Sequence, residues 1–290
     1  RTLVWVDRSG ERSPIASAPR PYSSPRVSPD GEHLLLHLEE ASISIWAYEI
    51  QRDTLSRVSF SDDDHTVAWS PDGARFAFES SRSGVHQIFI GTADGSGVLD
   101  QITDGEYDHF LCDWSADGRS LASVEFHPET AADLWILDPS GDRPPRPFLI
   151  TPYHETQATF SPNGRWLAYA SDESGQLEVY VRPVSGPGQK MQVSRDGGEE
   201  PAWSRSGDEL YYLAGGQMLA VTVGETPGFT ASRPEVLFDG PFHLGAYPSR
   251  SYDVAPDGRF IMVAEPAPEF AVHRLEVVLN WAGQLNALNR

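Results

Sequence analysis

A four-residue turn recurs along the chain and sets what it can fold into. It reads Ser28-Pro29-Asp30-Gly31, Ser70-Pro71-Asp72-Gly73, Ser115-Ala116-Asp117-Gly118, Ser161-Pro162-Asn163-Gly164, Ser204-Arg205-Ser206-Gly207 and Ala255-Pro256-Asp257-Gly258. The glycines stand 42, 45, 46, 43 and 51 residues apart, near the period of about 40–45 expected when each repeat is one four-stranded propeller blade. Proline presets the turn, the Asp or Asn side chain bonds its own backbone two residues on, and glycine takes the φ > 0 position. These Asp residues are therefore expected to form turns and not to hold ligands.

Short aromatic and aliphatic runs flank each turn, such as Thr66–Trp69 with Arg75–Glu79, and Gln157–Phe160 with Trp166–Ala170. A second β signature follows about 15 residues later, as in Ile45–Tyr48, Ile88–Ile90, Leu134–Leu137 and Val179–Val181, and leads into a fourth strand such as Leu99–Thr103. No apolar pattern of helical length occurs apart from a short turn at Trp281–Leu288. The expectation is an all-β, six-bladed β-propeller, residues 1–290 forming one domain. A ring must close to remove its exposed edges, so the hairpin Leu3–Asp7 with Arg12–Ile15 is expected to complete the C-terminal blade, which otherwise holds Tyr252–Val254 and Phe260–Ala264. Leu275–Leu279 is one strand more than this count needs, 25 against 24. Seven blades with an upstream piece missing is the alternative.

Lys+Arg 22 against Asp+Glu 42 gives a formal charge of -20, which repels a phosphate backbone and excludes general nucleic-acid binding. Hydrophobic residues are 39% and aromatics 11% of the chain, enough for a packed core. Cys112 is the only cysteine, so no intramolecular disulfide or Cys-based zinc site forms. Lys190 is the sole lysine, which disfavours Schiff-base chemistry. No apolar run approaches the roughly 18 residues of a membrane-spanning helix, so no membrane insertion by this chain is expected. The chain opens at Arg1 with no signal-like segment, as expected of a mature product or an excised piece.

The Ser-Pro-Asp-Gly turns, with strands reading Asp133-Leu134-Trp135-Ile136 or Glu178-Val179-Tyr180-Val181, resemble the TolB-like, WD-related propeller repeats of bacterial proteins. Leu3–Arg8, Glu178–Pro183 and Val277–Trp281 look most like the C-terminal sensory propellers of bacterial serine/threonine kinases. No kinase loop motifs are present, and the α/β domain that precedes the propeller in TolB is lacking. The resemblance implies a non-catalytic ligand- or protein-binding module of a larger bacterial protein, at the periplasmic or extracellular face.

Candidate site residues come from register. Counting back from each turn, the loops entering the innermost strands carry Asp64, His65, Asp108, His109, His154, Glu155, Glu199, Glu200 and Arg250, and loops at a propeller mouth are the usual binding surface. His86 and, in the Glu125–Thr130 loop, His127 sit in connections on the same side. His65, His109, His154, Glu155 and Glu199 are competent ligands for a divalent cation, calcium or zinc, in the central channel. The expected partner is a peptide, protein or small ligand, cationic or metal-bridged. No G-x-S-x-G elbow occurs, and His154-Glu155 lacks the second histidine of a metalloprotease helix. The catalytic alternative is a metal-dependent hydrolase of the lactonase or esterase type, in which a channel cation polarises the substrate carbonyl.

Overall fold

A computed structural model describes residues 1–266 apart from 16–17, 62, 186–187, 226–227 and 245–247. The stretches 275–279 and 281–288 lie outside the described residues. All regular elements described are strands: β1 (Thr2–Val6) and β2 (Arg12–Pro14); β3 (Tyr22–Val27), β4 (His33–Glu39), β5 (Ile43–Glu49) and β6 (Thr54–Arg57); β7 (Asp64–Trp69), β8 (Arg75–Ser80), β9 (Gln87–Thr92) and β10 (Asp100–Gln101). There follow β11 (His109–Trp114), β12 (Leu121–His127), β13 (Ala131–Leu137) and β14 (Arg146–Leu149); then β15 (Glu155–Phe160), β16 (Trp166–Ser171), β17 (Glu178–Pro183) and β18 (Met191–Gln192). The last are β19 (Glu199–Trp203), β20 (Glu209–Ala214), β21 (Gln217–Gly224), β22 (Thr230–Ala231), β23 (Glu235–Asp239), β24 (Asp253–Val254) and β25 (Phe260–Ala264).

They form six antiparallel sheets, one per blade, and the fifth takes an additional short strand because β22 and β23 both pair with β21. The sixth blade runs β24-β25-β1-β2. Its closure is a ladder from Thr2 opposite Ala264 to Val6 opposite Phe260. The ring has six blades and not seven, and the N-terminal hairpin leaves no unpaired edge on β25. Apolar residues alternate along the strands and pack blade against blade. Leu3, Leu34, Leu36, Ile261 and Val263 share the sixth–first interface, and Leu35, Ile45, Val67, Phe76 and Phe78 the first–second.

The turn motif also joins the blades. Asp30 accepts hydrogen bonds from Ser28 Oγ and Glu32 N, and Asp117 repeats this with Ser115 and Arg119. Each turn glycine has positive φ, and where the preceding blade offers proline, the glycine lies against it: Gly31 on Pro256, Gly73 on Pro29, Gly118 on Pro71, Gly207 on Pro162. Ala116 and Arg205 replace proline, and the glycines that would meet them, Gly164 and Gly258, have open space instead. The prolines thus form one rim of the ring, open at two places.

Candidate functional site

The innermost strands β3, β7, β11, β15 and β19 each slip register once, so the ladder is broken inside the channel in five blades. At four of these bulges a non-glycine residue is held at positive φ: Ser24 (47°), Thr66 (30°), Gln157 (54°) and Glu200 (55°). Backbone held in such sparsely populated regions clusters at functional sites, where surrounding structure over-determines it. Here the locks are visible. Glu200 N donates to Gln157 Oε1 (2.9 Å), Glu200 Oε2 accepts Ser251 N and Oγ (2.6 Å each), and Tyr252 Oη donates to the Glu200 carbonyl (2.8 Å).

Past the bulges, at the end of the channel that carries the turns, lies a cavity of about 340 Å³. Its rim is Pro29, Pro71, Ala116, Pro162 and Arg205; its wall is Trp69, Trp114, Phe160 and Trp203; its charged floor is Arg26, Asp113, Arg250 and Asp253. Arg26 is buried; its Nη1 donates to Pro25 O (2.9 Å), Arg250 O (3.0 Å) and Tyr252 O (3.3 Å), and its Nη2 to Ser249 Oγ (2.7 Å). Burial, then the neighbouring Arg250, pushes its guanidinium down to about 10. Arg250 donates to Pro201 O (3.2 Å) and Asp253 Oδ1 (3.4 Å); burial opposes its charge, and the Asp253 and Asp113 carboxylates outweigh that and raise its pKa. Asp113 Oδ2 accepts Thr159 Oγ1 (2.9 Å) and Phe160 N (2.8 Å), and burial raises its carboxyl. Two guanidinium groups thus stand among three carboxylates, those of Asp113, Glu200 and Asp253. Trp69 and Trp203 donate their indole N–H to Arg26 O (3.1 Å) and Thr159 O (3.2 Å), whereas the buried Trp114 Nε1 has no partner.

The residues expected from sequence lie at the other ends of these strands, except Glu200, at the fifth-blade bulge, and Arg250, which the structure puts on the cavity floor. Asp64, His109, Glu155 and Glu199 are not loop residues but the first residues of β7, β11, β15 and β19, because the ladder extends to pair them with Ser80, Glu125, Ser171 and Leu213. For the same reason Glu125–His127 is the end of β12 and not a loop. Asp64 is buried against Arg82 (2.9 Å), and Asp108 Oδ1 accepts His86 N (2.8 Å). His65 Nε2 meets Asp63 Oδ1 (2.6 Å). His109 Nε2 meets Glu125 Oε2 (3.1 Å); burial pushes the imidazole down to about 4, so it is neutral at physiological pH. His154 is exposed, and its N–H donates to Asp172 (2.9 Å). Glu155 is buried on Thr151 Oγ1 (2.6 Å), and burial pushes its carboxyl up to about 7. Glu200 locks the fifth-blade bulge, and burial raises its carboxyl.

The five expected metal ligands are not gathered: among the described residues, the only group of three or more with ligand atoms within 4.8 Å of one another is Asp30, Glu32 and His33, at a turn. Arg26, Asp113 and Asp253 were not singled out from sequence. Their signal is a charge two residues before the first turn residue, an inward-facing position held elsewhere by Ala68, Thr159 and Ala202.

Residues 3–132 match the TolB beta propeller domain (PD40). The fold is a TolB-like β-propeller. It superposes on a TolB-type structure from Agrobacterium tumefaciens with a TM-score of 0.75 and 21% identity, over 92% of this chain and 98% of that one. TolB from Acinetobacter baumannii gives 0.63 and 16%, over 91% of this chain and 64% of that one. Both likenesses show the fold alone. An uncharacterized protein of Agrobacterium fabrum, Atu1656, is 23% identical over 227 residues, 73% of this chain and 72% of that protein. Among the described residues no helix is long and apolar enough to cross a membrane.

Proposed function

We propose that this propeller is a non-catalytic binding module of the bacterial envelope, on its periplasmic or outer side, and that it takes a cationic group with an apolar body into the turn-side end of its channel. The cavity carries this reading. It has the size of a small-ligand site, an aromatic wall and a few convergent polar groups. Aromatic rings beside carboxylates suit an ammonium group, since the ring quadrupole attracts a cation. Both Nη atoms of Arg26 already donate to carbonyls and a hydroxyl, and Asp113 Oδ2 accepts from Thr159 and Phe160. Among the described residues no His, Cys or Lys lines the cavity.

The indole N–H signals of Trp69, Trp114 and Trp203 in a 15N-labelled sample test it. Butylammonium should shift these three and leave Trp5 and Trp135 unmoved, and Asp113→Asn should remove the response. Shifts confined to residues outside the cavity, or hydrolysis of esters, lactones or peptides lost on Asp113→Asn, would overturn the reading.

A further inference from the structure

At the opposite end of the channel, three imidazoles follow one another across the first two blades. His37 lies on β4, His65 is the second residue of β7, and His86 precedes β9. The rings of His37 and His65 meet edge-on with centroids 6.2 Å apart, and those of His65 and His86 with centroids 5.7 Å apart. The Asp63 carboxylate touches two of them, Oδ1 at 2.6 Å from His65 Nε2 and Oδ2 at 3.6 Å from His86 Nε2. We propose that His65, His86 and Asp63, with His37 behind them, form a binding site for a borderline divalent metal ion of the zinc, cobalt or nickel type. This is a second site, independent of the cavity.

Distance supports it first. Imidazoles sharing one ion through nitrogens at roughly 2.0–2.1 Å place their ring centroids about 4.5–5.5 Å apart; His65 and His86, at 5.7 Å, stand close to that spacing, and His37, at 6.2 Å from His65, stands farther out. The ligand atoms do not yet converge as they would around an ion; rotation of His65 and His86, 28% and 23% exposed, closes the set and leaves the ion a path in from solvent.

Unspent nitrogens support it second. His37 is 5% exposed, and its Nε2 is buried without a hydrogen-bond partner, as is His86 Nδ1. An orphaned buried nitrogen costs free energy unless something else occupies its lone pair or proton.

The outer contacts are those of a held ligand set. Ser81 Oγ donates to Asp63 Oδ2 (2.6 Å), fixing the carboxylate, and the His86 ring stacks on Phe110 at 5.2 Å while its backbone N–H is held by Asp108. Such second contacts orient metal ligands. Two or three imidazoles with one carboxylate favour zinc, cobalt or nickel over calcium or magnesium, which take all-oxygen sets.

The test uses the full chain and cobalt(II) alone. One equivalent should bind with the visible d–d absorption of a nitrogen-ligated site, zinc should displace it, and calcium should not. His65→Ala and His86→Ala, both partly exposed and checked for an unchanged thermal midpoint, should each weaken binding by tenfold or more. His33→Ala, at the surface turn, should leave it unchanged. No cobalt absorption, binding that survives His65→Ala with His86→Ala, or binding lost in His33→Ala would overturn the proposal.

Discussion

Removing residues 1–15 takes away both strands that close the ring, and the structure fixes how much that should cost. Leu3 and Val6 are wholly buried, and Val4 and Trp5 nearly so. Each buried side chain of this size contributes roughly 1.5–3 kcal/mol, so the four together contribute about 6–12 kcal/mol. That is comparable to the 5–15 kcal/mol by which whole domains are stable. The deletion also strips β25 of its partner along Thr2–Val6 and uncovers Ile261 and Val263, an apolar strand edge open to other chains. Size-exclusion chromatography with light scattering and a thermal melt should show aggregation or loss of the cooperative transition at 25 °C. A synthetic peptide of residues 1–15 should restore the transition in a concentration-dependent way, because it binds only the folded ring. A soluble monomer melting within a few degrees of the intact chain would refute the reasoning.

Three further outcomes are expected. Arg26→Met leaves three carbonyls and the Ser249 hydroxyl without their donor and should cost about 3–5 kcal/mol, read as a fall in thermal midpoint on the order of 10 °C; a shift within error would show that these contacts contribute nothing net. Glu155 holds its proton in the folded state up to about pH 7 while the unfolded chain loses it from about 4.5, so ionising Glu155 destabilises the fold as pH rises through that window. Glu155→Gln should therefore gain stability relative to the parent between pH 5 and pH 8, measured by urea unfolding, and no pH-dependent difference would contradict the assignment. Gly73→Ala and Gly164→Ala should cost similar amounts, about 1–2 kcal/mol each, because both glycines have φ near 70° and the cost is in the backbone, although only Gly73 has a proline beside it.

The turn motif made the fold legible because it is local: Ser, Pro, Asp and Gly each act within four residues, and the spacing alone counts the blades. The closing hairpin was legible for a related reason, since a ring with two strands at one terminus and two at the other has one way to hide its edges. The channel chemistry was harder to read. Several of its polar groups are chosen by partners far away in the chain, as when Arg26 reaches Tyr252 across 226 residues or Asp113 accepts from Phe160 across 47. Position in a repeat says that a residue faces the axis, not whether a neighbouring blade has already consumed its charge. Asp64 and Glu200 are buried, and Arg82 and Ser251 take them up. The imidazoles assembled across blades are His37, His65 and His86, and His37 escapes a search of loops because it lies within a second strand.

The sign of the effect of Arg205 distinguishes a cation-binding cavity from an anion-binding one. Arg205 is exposed on the cavity rim, where the neighbouring Pro29, Pro71, Ala116 and Pro162 carry no charge. Butylammonium and butanoate, equal in shape and opposite in charge, can be titrated against the parent and Arg205→Ala while the Trp69, Trp114 and Trp203 indole signals are followed. Butylammonium should bind, removal of the rim cation should tighten it about two- to fivefold at low salt, and the gain should fade as the Debye length falls toward about 8 Å. Preference for butanoate, weaker butylammonium binding in Arg205→Ala, or no response of the three indoles to either probe would contradict it.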